Sequence, residues 1–344
     1  MSGGVSVVIC CHNSAKRLPE TLRHLAAQQV SRETPWEVLL IDNASTDDTA
    51  ETARRCWPAN APAPLRIVAE PRPGTGNARF RSFSEARYEI ISFLDDDNWI
   101  VPHWLSLVVD FFHDHPEAAV VGGPSTAVFE ISAPPWFSGV AIFHAVGEQH
   151  PYSGEITHQP GTLLWTAGMS LRRQDALDLI NQGFTFLTCV NSSFARGEDT
   201  ELCLALRAAG KRLFYDERLA IQHYMPAERL LWPKTVGLMR VIGASSTIID
   251  LYLMALNAPP FDTAPVWKKN WLFQALKTLR RLASMILSHP RDCYFQTEGS
   301  PSALHFQKTL GHLSTLWTLC GRFQNLVKSL RGAAWNKGGR RTGT

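Results

Sequence analysis

Along the first half of the chain, short β-branched apolar runs alternate with stretches whose apolar residues recur every third or fourth position. Such alternation predicts a parallel sheet covered by helices. Strands are expected at 5–10, 37–41, 65–69, 90–94 and 119–122. Between the first two, Leu18, Leu22, Leu25 and Gln29 keep helical spacing, and Pro19 suits a first helical turn. Ser45 followed by Asp48 reads as a capping box for the next helix, and Val101 to Phe112 is helical in pattern. From Ser125 to Gln159 the periodicity breaks into Pro, Gly and aromatic residues, among them Pro134-Pro135-Trp136-Phe137. That stretch is too apolar to stay solvated, so a long functional loop region is expected. Order returns at 163–171, followed by helices at 173–180 and 199–209 and strands at 212–215 and 220–223. Beyond Arg229 the pattern is mainly helical, interrupted at 257–265 and 289–301.

With 344 residues and 45% apolar content, the chain can bury one large core with an appendage. Its seven cysteines show no C-x-x-C pair and no zinc-like spacing, which suits buried thiols in a reducing compartment. No basic leader precedes the first apolar run, and no apolar stretch reaches the roughly 18 residues of a membrane span. A cytoplasmic protein is expected. The net charge of +3 conceals an asymmetry: residues 264–344 hold 13 Lys and Arg against Asp292 and Glu298 alone. A basic surface for an anionic partner follows. Within it, Trp267, Trp271, Leu272, Leu276, Leu279, Leu282 and Ile286 recur near helical spacing among Lys268, Lys269, Lys277, Arg280 and Arg281. Two readings fit: an interfacial helix on the inner face of the cytoplasmic membrane, or a helix packed on the protein with a basic outer face. No nucleic-acid recognition motif occurs, and no nucleic-acid partner is expected.

The strongest chemical signal is Phe93-Leu94-Asp95-Asp96-Asp97-Asn98, an apolar strand running out into three carboxylates. Ligands of open α/β sheets bind at such strand ends, and adjacent acids repel unless a cation or solvent relieves them. A hard Mg²⁺ or Mn²⁺ shared with a diphosphate would do so; a solvated acidic turn is the plain alternative. Asp42 and Asn43 end another strand on the same edge, where they could bond a base or ribose or simply cap a helix. Asn43 could accept the imide N–H of uridine or deoxythymidine. Arg72, Gly74-Thr75-Gly76-Asn77-Ala78-Arg79 and Arg81 suit phosphate oxygens at a helix start, although the run is a poor dinucleotide fingerprint. Glu198-Asp199 opens a helix, as dipole-favoured acids or as a general base, and His223 is a metal ligand or a core histidine.

In this order the segments resemble the inverting family-two glycosyltransferases. Val5 to Asn13 is similar to their nucleotide-contacting first strand, Ile41 to Asp47 to the acidic turn, and Asn77-Ala78-Arg79 to the arginine helix. Phe93 to Asn98 resembles the D-x-D strand, Ala167-Gly168-Met169 the acceptor-side segment, and Gly197-Glu198-Asp199 the pair bearing the base. Pro134–Phe137 and His223–Arg229 look like bacterial members that build surface or extracellular polysaccharides. The resemblance covers residues 4 to 230 and implies a GT-A-like α/β sheet flanked by helices. Residues 1–260 would be the catalytic domain and 261–344 a basic helical extension. It further implies that Cys11, His12, Asn13, Asp42, Asn43, Arg79, Asp95 and Asp96 bind a nucleotide-diphosphate sugar. Asp97 and His223 would hold Mn²⁺ or Mg²⁺, and Trp136, Gly168 and Met169 would lie on the acceptor side. Asp199, with Glu198 as rival, would be the base. Lacking the Q-x-x-R-W signature of processive members, the chain is expected to add single sugars to a glycan or lipid-linked acceptor. The competing readings are a sugar nucleotidyltransferase, disfavoured by Cys11-His12-Asn13-Ser14 where a Gly/Arg-rich loop belongs, and an inactive module binding glycan or an anionic surface.

Overall fold

A computed structural model describes residues 4–159, 164–188 and 196–337. The chain divides into two compact units. Unit 1 comprises Met1–Val128, Ala145–Asn181 and Gly210–Met225; unit 2 comprises Phe129–His144, Gln182–Ala209 and Pro226–Thr344. The helix ending at Ala255 clusters with the helices that follow it.

Unit 1 is built on one sheet. Strand β1 (Val5–Cys11) pairs in parallel with β2 (Trp36–Asn43), and β2 with β3 (Leu65–Glu70). On its other side β1 pairs in parallel with β4 (Ile90–Leu94). The near-continuous apolar runs of β1, β2 and β4 are buried on both faces, as expected of parallel strands under helices, whereas the edge strand β3 is mostly half-exposed. Helices α1 (Leu18–Ala26), α2 (Thr49–Cys56), α3 (Thr75–Glu85) and α4 (Trp104–Asp114) connect or flank them. Helix α1 begins with proline in its first turn and buries Leu18, Leu22 and Leu25, at the spacing read from the sequence. Helix α2 departs from expectation. Its N-cap Asp48 makes no side-chain cap bond, Ser45 Oγ accepts from Asn13 N (3.1 Å), and Asp47 Oδ1 accepts from Thr49 N (3.1 Å). The capping box is therefore not formed.

A short strand β5 (Asn98–Trp99) follows the three acids, and β6 (Ala118–Gly122) follows α4. Part of the expected loop region is regular: β7 (Ser125–Phe129) joins β5 and β11 (Ile221–Met225) in a small second sheet. The half-exposed Ser-Thr-Ala-Val-Phe run shows no clean alternation, and its neighbour in the sheet lies about a hundred residues away, so local pattern could not reveal it. The main sheet continues through β9 (Ser170–Arg172), antiparallel to both β4 and β6, then β10 (Arg212–Tyr215) and the edge pair β8 (Gly154–Glu155). Helix α5 (Arg173–Asn181) completes the unit's helices among the described residues.

Unit 2 is helical: α6 (Glu198–Ala208), α7 (Trp232–Ala255), α8 (Trp271–Ser288), α9 (Pro290–Phe295), α10 (Pro301–Leu319) and α11 (Phe323–Gly332). Helices α7 and α10 meet at two glycines. A Cβ on Gly243 would lie 1.8 Å from Lys308 O, and one on Gly311 1.9 Å from Arg240 O, so only glycine permits this approach. By length and apolarity α7 could cross a membrane, but half of its most apolar window is buried inside the protein. Trp136 and Phe137 belong to this packing: the Trp136 ring lies 5.2 Å from that of Trp232, and its Nε1 donates to Glu298 Oε1 (3.0 Å).

Candidate functional site

Parallel register brings the carboxyl ends of β1, β2 and β4 to one edge of unit 1, with Cys11 opposite Asp42 and Ile9 opposite Leu94. His12 and Asn13 continue β1 into a turn in which Asn13 adopts a left-handed φ of 52°. The turn is tied to the end of β2: His12 Nδ1 is 2.8 Å from Asn43 O, and Asn13 Oδ1 accepts from Thr46 N (2.8 Å). Asp42 Oδ1 accepts from Ser45 N at 3.3 Å and stays half-buried.

The acidic turn after β4 is folded around Asn98. Asn98 Oδ1 accepts from Asp95 N (2.9 Å), and its Nδ2 donates to Asp97 Oδ1 (3.3 Å). Asp96 is bound by Arg17, whose NH2 donates to Oδ2 at 2.6 Å, and its carbonyl accepts from Thr21 Oγ1 (2.9 Å). Asp97 is 1% exposed, and its Oδ1 lies 3.4 Å from Nε2 of the buried His223, brought there by antiparallel pairing of β5 with β11. Burial and then the charge of Asp97 push the Asp95 carboxyl up to about 6, against the opposing pull of Arg79 and His223. The Arg17 guanidinium serves two of the three acids, since its Nε also lies 4.0 Å from Asp97 Oδ2, so Arg17 and His223 together offset part of the turn's negative charge.

Among the described residues no three His, Cys, Asp or Glu side chains gather closely enough to hold a metal ion by themselves. Asp97 and His223 nevertheless fit one that keeps diphosphate oxygens and water among its ligands, since Mg²⁺ and Mn²⁺ need only one or two protein donors in such sites.

Other expected contacts fall differently. Asn43 is 4% exposed and its amide is engaged on both sides: Nδ2 donates to Glu70 O (3.2 Å) and Arg72 O (2.6 Å), and Oδ1 accepts from Gly74 N (2.8 Å). It clamps the β3–α3 loop. Cys11 carries its thiol into the core, so only its backbone reaches the edge. Arg79 is buried, donates to Thr166 Oγ1 (2.6 Å) and lies 5.8 Å from the Phe93 ring centre. Arg72 and Arg81 pair with Glu70 and Glu85. Met169 is fully buried, and Gly168, at φ +81°, packs where a Cβ would meet Ile221 at 2.9 Å. Their backbone bonds to Phe93 hold the acidic turn from behind. Arg17 and Asn98 were missed as supports; a lone Arg ahead of a helical proline gives no local signal of a partner 79 residues away.

The remaining acids belong to unit 2. Gly197, left-handed at φ +114°, opens α6, and its position leaves 3.4 Å between a would-be Cβ and Ser245 Cβ. Ser245 Oγ also bonds Arg196 O, so the start of α6 is fixed to α7. Glu198 is buried, whereas Asp199 is half-buried with Oδ1 accepting from Thr200 N (2.7 Å). Glu201 is fully enclosed by Leu187 N, Thr188 N and Tyr252 OH.

The mixed sheet flanked by helices, with an acidic turn at the end of β4, is a GT-A-like fold. Residues 6–174 match glycosyl transferase family 2; this stretch belongs to that family, and the protein is a glycosyltransferase. The chain is 26% identical over 230 residues to the succinoglycan biosynthesis protein ExoM of Rhizobium meliloti, covering 66% of this chain and 70% of that protein. It is 34% identical over 93 residues to an uncharacterized glycosyltransferase of Mycobacterium tuberculosis, covering 27% and 36% respectively. Its fold is similar to that of a mannosyltransferase from Pyrobaculum calidifontis solved in complex with GDP-Man and Mn²⁺. That match has a TM-score of 0.56 and 18% identity over 92% of this chain and 88% of the other.

Proposed function

We propose that the protein is a metal-dependent, inverting glycosyltransferase that moves a single sugar from a nucleotide-diphosphate donor to a hydroxyl of a glycan or lipid-linked acceptor. The observation that carries this reading is the Asp95–Asn98 turn at the shared edge of β1, β2 and β4, with His223 beside Asp97. The similarity to ExoM supports polysaccharide biosynthesis as the setting. The His12–Asn13 turn, Asp42 and Asp95 bind the base and ribose. Asp97 and His223 would hold Mn²⁺ or Mg²⁺, which would supply positive charge to the leaving diphosphate. Asp199 takes the acceptor proton as the hydroxyl attacks the anomeric carbon opposite the leaving group, and the configuration inverts. Asp199 is preferred to Glu198 because it retains solvent access while Glu198 is buried. A screen of nucleotide sugars with Mn²⁺, reading released nucleoside diphosphate and anomeric configuration by NMR, tests this; retention of configuration would refute it.

The reading includes docking on an anionic membrane. Helix α8 packs through Gln274, Ala275, Thr278 and Leu282 and leaves Leu272, Leu276, Leu279 and Ile286 44–56% exposed, with Arg280 on the same side. An apolar outer face flanked by cations suits a lipid surface better than solvent.

A further inference from the structure

Unit 2 encloses a cavity of about 360 Å³ whose lining includes Asp250, Lys268, Lys277, Arg281, Lys308 and His312. The glycine crossing of α7 and α10 builds it. Gly243 and Gly311 bring the backbones together, which places His312 Nδ1 3.1 Å from Ser246 Oγ and its Nε2 4.0 Å from Asp250 Oδ2. Helix α8 supplies Lys277 and Arg281 on an arc different from its exposed leucines. Four cations therefore share one hollow with a single carboxylate. Among the described residues Lys277, Arg281 and Lys308 form no ion pair, and Lys308 Nζ instead lies 5.2 Å from the centre of the Phe143 ring.

The crowding of charge registers on the neighbours. Burial, then Lys277, Arg281 and Lys308, push His312 down to about 4, and burial, then Arg281, lowers Lys308 itself. Exposed Lys268, Lys277 and Arg281 gathered around the half-buried Lys308 in a concave surface favour a multivalent anion, whose oxygens can meet an arginine fork and several ammonium groups at once. Four of the thirteen Lys and Arg of residues 264–344 line this one pocket.

We propose that this cavity is a second binding site, for the phosphate or diphosphate group of a ligand distinct from the sugar donor. It uses no residue of the acidic turn and stands whether or not the donor reading does.

The test is calorimetric titration of the full chain with inorganic pyrophosphate, short-chain phosphatidic acid, and short-chain phosphatidylcholine as the zwitterionic control. The proteins compared are wild type, the double variant Lys277→Glu/Arg281→Glu, Lys308→Gln, and Asp97→Ala. Lys277 and Arg281 are exposed, so their variants fold; melts check this, and Lys308→Gln decides should the double variant fail. Binding of a phosphate ligand is expected to weaken at least tenfold in the double variant and in Lys308→Gln while persisting in Asp97→Ala. Tighter binding of phosphatidic acid than of pyrophosphate assigns the site to a lipid head group; the reverse assigns it to a soluble phosphate. No phosphate binding in wild type, binding that survives charge reversal, or binding lost only in Asp97→Ala would overturn the proposal.

Discussion

The strand edge of unit 1 keeps Asp96, Asp97, Asn98 and His223 out of solvent, whereas helix α8 of unit 2 keeps Leu272, Leu276, Leu279 and Ile286 in it. Folding favours neither arrangement. A buried carboxylate loses hydration unless partners replace it, and each of these half-exposed aliphatic side chains forgoes roughly half of the ~1.5–3 kcal/mol of full burial. The two regions resolve the conflict differently. In unit 1 protein groups replace water: Arg17 donates to the Asp96 carboxylate and Thr21 to its backbone carbonyl, while Asn98 donates to Asp97 and His223 lies beside it. Such a preorganised polar turn suits a small charged ligand. In unit 2 the apolar face has no such replacement on its exposed side, so its gain comes only on meeting an apolar phase.

The contrast can be broken or sharpened at named residues. Asp199→Asn keeps shape and should leave donor affinity intact while transfer falls by about 10²–10⁴-fold. Near-normal transfer by this variant, with collapse in Glu198→Gln, would move the base to Glu198. Asp97→Ala should lower transfer by roughly 10²–10³-fold, through weaker joint binding of nucleotide and metal, read by titrating each alone and together. In unit 2, Gly311→Ala drives a Cβ into the Arg240 carbonyl and should cost ~3 kcal/mol in denaturant melts, with α7 and α10 forced apart.

Smaller effects separate buried acid from exposed apolar face. Burial pushes Glu201 from its usual 4.5 up to about 7, so the folded form binds its proton more tightly than the unfolded chain. Its contribution is fully present below about pH 4.5 and is lost as pH rises through about 7. Thermal melts should show roughly 1–3 kcal/mol of stability disappearing over that window, and Glu201→Gln should flatten the profile. Leu276→Asp with Leu279→Asp should reduce co-sedimentation with phosphatidylglycerol-containing vesicles at low salt and leave the melting temperature unchanged. Equal sedimentation by wild type and variant would remove the docking face from the account.

The sequence made β1, β2 and β4 legible because they are buried on both faces and read as near-continuous apolar runs, as in Val5–Cys11 and Ile90–Leu94. It was silent on β5 and β7, which are short and whose sheet neighbour is remote in sequence. The acid turn was legible as a carboxylate cluster. The tasks of its members were not: Asp96 meets Arg17 across 79 residues, and Asn43 closes a loop that only the β2–β3 register brings near. Met169 and Cys11 sit beside motif positions, yet their side chains face the core. Helix α8 was legible as amphipathic; which face would turn outward depended on Gln274 and Thr278 being the packed residues, which hydrophobicity does not announce.

The most direct test of the central claim is a calorimetric titration of wild type and Asp97→Ala with a panel of nucleoside diphosphates, each with and without Mn²⁺. One nucleoside diphosphate should bind wild type at least tenfold more tightly when Mn²⁺ is present, and Asp97→Ala should abolish that gain. Binding of every nucleotide independent of Mn²⁺, or a metal-dependent gain that survives in Asp97→Ala, would contradict the assignment of this turn as the donor site.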